Sequence, residues 1–182
     1  MKDRHQGFTL IEVLIAAVVL SIGLLGLAAL QAKGLRSNHS SNLRSQATLM
    51  AYDMADRMRA NLNGYEGGFY DNTTAADHDC VWKGSQPATC TPQQMAAHDV
   101  WEWNASLARE LPQGVGVVCL DSTPGDGSDT DADGVVEPAE FGCDGLGTSY
   151  VVKLWSVDEL AIDDQTGNPV TVIRRVITEV RP

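Results

Sequence analysis

Three patterns of apolar and polar positions follow one another along the chain. The first is an apolar run from Phe8 to Leu30, FTLIEVLIAAVVLSIGLLGLAAL, in which Glu12 is the one charged residue. As a helix it measures about 34 Å at about 1.5 Å per residue, enough to cross a hydrocarbon core about 30 Å thick. The second is amphipathic. Leu43, Ala47, Met50, Met54, Met58 and Leu62 recur at three- and four-residue steps, while Arg44, Gln46, Asp53, Asp56, Arg57 and Arg59 fall on other faces. A stop signal follows at Asn63-Gly64, so residues 8 to about 62 read as one long helix, apolar all round at first and one-sided afterwards. The third pattern, residues 63–182, mixes loops, one helix and strands.

In that third part, Gly64, Gly67, Gly68, Asn72, Gly84, Pro87 and Pro92 predict a long loop over 63–92. Thr91-Pro92-Gln93-Gln94 is a helix start: Thr as N-cap, Pro in the first turn, Gln completing a capping box. Ala96, Val100, Trp103, Leu107 and Leu111 mark the buried face of that helix, which Pro112 and Gly114 close. His98, Trp101 and Trp103 on it read as core packing and surface aromatics, not as a ligand site. Strands are predicted at Val115–Leu120, Ser149–Val157 and Val170–Val180, with turn residues Asp163 to Pro169 between the last two. The economical fold is α+β: a small antiparallel sheet packed on the amphipathic half of the long helix.

Charge and cysteines narrow the picture. The 182 residues carry a net charge of −11 without any Lys/Arg cluster, which argues against a nucleic-acid partner. Cys80, Cys90, Cys119 and Cys143 all lie beyond the apolar run, in loop-rich sequence that suits two disulfides in an oxidising compartment. Three pairings exist; closure of short loops favours Cys80–Cys90 and Cys119–Cys143. A zinc site is the rival, but no C-x-x-C occurs and the histidines are scattered. The apolar run lacks the short core and cleavage site of an ordinary secretory signal. With Lys2 and Arg4 ahead of it, it reads as a retained anchor with a cytoplasmic N-terminus and the remainder across the membrane, in a bacterium the periplasm.

Glu12 asks for a reason, because a carboxylate at the centre of a span costs about 2.5–3.5 kcal/mol on insertion scales and marks function by default. Gly7-Phe8-Thr9-Leu10-Ile11-Glu12, after the short charged leader Met1–Gln6, resembles the class III signal of type IV pilins and pseudopilins. SIGLLGLAALQAKGLRSN and AYDMADRMRAN, with WNASLARELPQGVGVVC and VIRRVITEVRP, resemble the PilV group of minor pilins, the type IV pilus modification proteins. The resemblance implies a leader, 1–7, cut by prepilin peptidase between Gly7 and Phe8, with N-methylation of the new Phe8 amine. It further implies a membrane and filament-core helix at 8–30, its amphipathic continuation at 31–62 and a periplasmic head at 63–182. The implied partners are other minor and major pilins and the inner-membrane assembly machinery, and the implied destination is a surface pilus. Glu12 is expected to face the N-terminal amine of a neighbouring subunit, each buried charge being tolerable only with the other. Gly23, Gly26 and Gly34, with Ser21, permit close helix approach or local unwinding.

One further motif stands apart. Asp129, Asp131, Asp133, Gly134, Val135, Glu137 and Glu140 match the calcium loop D-x-D-x-D-G-x5-E. Alternate carboxylates converge on a hard cation, Val135 offers its carbonyl, Glu137 sits at the water-mediated position and Glu140 can bind bidentately. Flanking helices are not evident, so the expectation is a calcium loop set between strands and bracketed by Cys119 and Cys143. No catalytic cofactor and no enzyme are expected, since no nucleophile triad, HExxH, Walker loop or dinucleotide fingerprint occurs. Three functions compete: a minor pilin in a priming or tip complex that affects adhesion and twitching, a minor pseudopilin of a type II secretion system, and a membrane-anchored calcium-dependent adhesin.

Overall fold

A computed structural model describes residues 9–80, 90–130, 135–162 and 169–181, side chains excepted at 159–162 and 169–172. The order is α1 (Leu10–Ala60), α2 (Leu62–Glu66), α3 (Pro92–Glu110), β1 (Val115–Leu120), β2 (Tyr150–Ile162) and β3 (Pro169–Val180). The chain divides into two compact units, Met1–Ser41 and Asn42–Pro182. In the first, α1 is exposed on every described face and is long and apolar enough to cross a membrane. Ser21 is the polar interruption, and its hydroxyl donates to the Ala17 carbonyl at 2.7 Å, so the helix satisfies it internally.

In the second unit the predicted stripe is the core. Ala47, Met50, Met54 and Met58 of α1 are buried with Ala51 and Ala55, against Ala96, Val100, Trp103 and Leu107 of α3 and one face of the sheet. Leu43 packs at the margin. Leu62 is a correction: it is exposed, because α1 stops at Ala60 and Asn61 breaks the helical phase. The break has a local cause. Asn61 adopts φ −103°, ψ 60°, and its side-chain oxygen accepts from the Gly64 amide at 3.2 Å, starting α2 instead of continuing α1. The predicted loop over 63–92 therefore opens with a short helix.

The capping box at Thr91 and Gln94 is formed as expected, with reciprocal bonds of 3.2 and 3.0 Å. Trp103 is fully buried and its indole donates to the Met50 carbonyl at 2.8 Å, joining α3 to α1. Trp101 is 40% exposed, and its ring stacks on buried His98. The sheet is antiparallel in the order β1-β2-β3. β2 runs five residues past its expected end and pairs with β3 as far as Ile162↔Pro169, through a register shift between Asp158 and Ala161. Tyr150, Val152 and Leu154 face the helices; Val151, Lys153 and Trp155 face the other way. Gly116 on β1 is required where Trp103 meets the sheet, since a Cβ there would lie 2.3 Å from the indole Cη2.

Candidate functional site

The processing residues Gly7 and Phe8 lie outside the described residues. Glu12 opens the first turn of α1, where the amide end of a helix favours a carboxylate. Its backbone N–H donates to the Thr9 carbonyl at 3.1 Å. Its side chain is exposed among Ile11, Ile15, Ala16 and Val19 and has no ion-pair partner among the described residues. A Cβ added at Gly23, Gly26 or Gly34 would meet nothing within 4 Å. α1 therefore carries one carboxylate set in an unburied apolar surface.

The acidic loop belongs to an excursion between β1 and β2 that folds over the sheet face turned away from the helices. Cys119–Cys143 ties its exit to its origin, and Cys80–Cys90 closes the other predicted loop. Phe141 stacks on Trp155 with centroids 5.0 Å apart, and Val136 is buried with them. Beneath lies a group that the sequence did not announce. Lys153 is fully buried, and its ammonium contacts the carboxylate of buried Asp121, Asp126 Oδ1 at 2.7 Å, and the carbonyls of Phe141 and Gly142 at 3.1 and 2.9 Å. The bond from Lys153 holds the Asp126 carboxyl below its usual range. From β3, Arg175 donates to the carbonyls of Gly125, Asp126 and Gly127. The signal that could have found Lys153 is its place in an otherwise apolar strand, YVVKLW.

Of the expected calcium ligands, Asp131 and Asp133 lie outside the described residues. Glu140 ends a 3-10 turn, Pro138–Glu140, and its carboxylate accepts from the Thr130 amide and hydroxyl and from the Glu137 amide. Those bonds, the Thr130 hydroxyl first, pull the Glu140 pKa down to about 2. They also bring the second, ninth and twelfth loop positions together. Among the described residues no three His, Cys, Asp or Glu side chains gather as a metal site. The loop follows strand β1, and among the described residues no α-helix flanks it, as the sequence implied.

A second polar network, also missed, joins α1, α2 and α3. The Tyr70 hydroxyl donates to Asp99 Oδ2 at 2.5 Å, Asn61 Nδ2 donates to Tyr70 Oη and to the Pro92 carbonyl, and Arg57 pairs with Asp53 and Glu102. Burial raises the Asp99 pKa against the opposing pull of Tyr70 and Arg57. Burial also raises that of Tyr70. Every member is partnered, which fits a structural role.

Two family models match the chain. Residues 2–28 match the prokaryotic N-terminal methylation motif. Residues 29–101 match the type IV pilin Tt1218 family. The second match ends inside α3, so it covers neither the sheet nor the acidic excursion. No curated protein and no solved structure matches the chain. Between them the two matches make residues 2–101 similar to type IV pilin sequence with its methylation motif.

Proposed function

We propose, from a pilin segment carried on an unburied apolar helix, that the chain is a minor pilin of the PilV kind, anchored in the inner membrane and drawn into a type IV pilus. Prepilin peptidase cuts between Gly7 and Phe8 and the Phe8 amine is methylated. The head then lies in the periplasm and later at the cell surface. Pilins are structural subunits, and the chain needs no catalytic cofactor. The observation that carries the reading is Glu12, one carboxylate in an apolar surface that nothing in its own unit covers. Its partner is the ammonium of a neighbour's Phe8, a pairing that converts two unfavourable burials into a docking register.

The test begins with the mass of the membrane-extracted chain, which starts at Phe8 and carries one methyl group if the reading holds. Deleting the gene removes surface pili; wild type restores them and a Gly7→Ala chain does not. Glu12→Gln is cut and forms both disulfides but stays out of the fibre. A mature chain that retains Met1, or normal incorporation of Glu12→Gln, refutes the proposal. Loss of secretion with pili intact assigns the chain to a secretion pseudopilus.

The acidic loop adds a calcium site to the head in this reading, with Asp129, Asp131, Asp133, the Val135 carbonyl, Glu137 and Glu140 as its ligands. Both Glu140 oxygens must leave their hydrogen bonds to chelate, so a weak site of about 10⁻⁴–10⁻³ M is expected. Calorimetry on the detergent-solubilised chain gives one calcium event that Asp129→Ala/Glu140→Ala abolishes. A flat titration of the wild type removes the site.

A further inference from the structure

The two edges of the sheet end differently. On β1, the Gly116 amide donates to Asn104 Oδ1 at 3.2 Å, the Val118 carbonyl accepts from the Asn72 amide at 3.0 Å, and the Leu120 amide donates to Asp71 Oδ1 at 2.8 Å. The Leu120 carbonyl accepts from the Gly145 amide. Residues 116, 118 and 120 therefore point away from β2, and every outward position of that edge is occupied. The alternation carries across the sheet. Val115, Val117 and Cys119 bond to Trp155, Lys153 and Val151, so Tyr150, Val152, Leu154 and Ser156 point at β3 and meet Val180, Thr178, Val176 and Arg174. Ile173, Arg175, Ile177 and Glu179 are left pointing outward. Among the described residues their amides and carbonyls have no partner.

An open edge of this length is a template for another strand, and proteins usually blunt it with a bulge, a proline or a charge standing over it. No proline falls between Ile173 and Val180. The two arginines are turned elsewhere: Arg174 pairs with Asp158 at 2.8 Å, and Arg175 reaches the carbonyls of 125–127. Beside the edge is a groove of about 290 Å³, lined by Leu43, Arg44 and Ala47 of α1, Asp158 of β2, and Arg174 and Val176 of β3. Arg174 offsets Asp158 there, and Arg44 has no carboxylate partner among the described residues. On a chain of net charge −11 this groove is locally cationic.

We propose that the β3 edge receives an extended segment of another pilin subunit as a fourth strand, with an acidic side chain of that segment entering the groove beside Arg44. Main-chain bonds to residues 173–179 supply the attraction, and the groove selects the side chain. The proposal rests on the pilin reading and adds the chemistry of the contact.

Hydrogen exchange tests it, comparing the full chain in detergent with the same chain in isolated fibres. The amides of Ile173, Arg175, Ile177 and Glu179 slow by about tenfold or more in the fibre, while those of Gly116 and Leu120 are slow in both. Ile177→Pro removes an outward N–H and no ladder bond. That variant keeps both disulfides and native tryptophan fluorescence, and its share of the fibre falls by about tenfold. Arg44→Glu lowers incorporation and leaves the free head unchanged. Equal exchange of the edge amides in both states, or normal incorporation of Ile177→Pro, overturns the proposal. Protection that grows with concentration of the chain alone in detergent assigns the edge to a second copy and overturns it too. A wild-type chain that never enters a fibre refutes the pilin reading and, with it, the partner named here.

Discussion

Replacing Lys153 by Met probes the clasp under the acidic excursion. Lys153 is fully buried and Asp121 is 4% exposed. Without the ammonium, Asp121 Oδ1 keeps its bonds from the Thr123 amide and hydroxyl at 3.0 and 3.4 Å, and its other oxygen is left buried and bare. Breaking one side of a buried pair costs about 3–5 kcal/mol. The companion pair to Asp126 adds little, because that side chain is 46% exposed and such pairs contribute about 0–1 kcal/mol. Against a total stability of about 5–15 kcal/mol the loss is severe. With a urea slope of about 2 kcal/mol per molar, the unfolding midpoint falls by about 2 M. The assay is tryptophan fluorescence of the full chain in detergent, where Trp155 reports from the same sheet face. Lys153→Met/Asp121→Asn, which removes both charges, recovers most of the loss. A single variant within about 0.3 M of wild type, or a double variant as unstable as the single, refutes the clasp.

Three other outcomes follow from the head. Gly116→Ala forces a Cβ to 2.3 Å from Trp103 and costs about 1–3 kcal/mol, measured as a lowered thermal midpoint. Burial raises the Asp99 pKa in the native state, so its contribution is complete below the ordinary carboxylate range and is lost as pH rises through the raised value. Urea midpoints of Asp99→Asn therefore fall less than wild type's from acid to neutral pH, and parallel curves would refute this. Removing Cys119–Cys143, which closes 24 residues, by paired Ser substitution lowers stability by about 3 kcal/mol in the same urea assay.

What the sequence made legible is what local chemistry dictates. The capping box, the Ala96–Leu107 face, β1 and the methionine stripe each follow from one element's own pattern. The errors sit where distant residues decide. Asn61 breaks α1 because its side chain prefers the Gly64 amide and, across the chain, Tyr70 and the Pro92 carbonyl. β2 outruns its β-branched stretch because β3 is there to pair with it. Lys153 is buried only because the excursion, distant in pattern from its own strand, folds over it. Of the candidate sites, Glu12 was readable because hydrocarbon makes a lone carboxylate conspicuous. The edge of β3 was not, since an unpaired backbone leaves no mark in composition.

The clasp has a consequence for how this head can vary. Both feet of the excursion are fastened independently of its tip, by Cys119–Cys143, by Lys153 and by Arg175. These fastenings use no residue from Ser128 to Val136. A lineage can rewrite that tip, or an experimenter can graft an epitope into it, and the scaffold below keeps its shape.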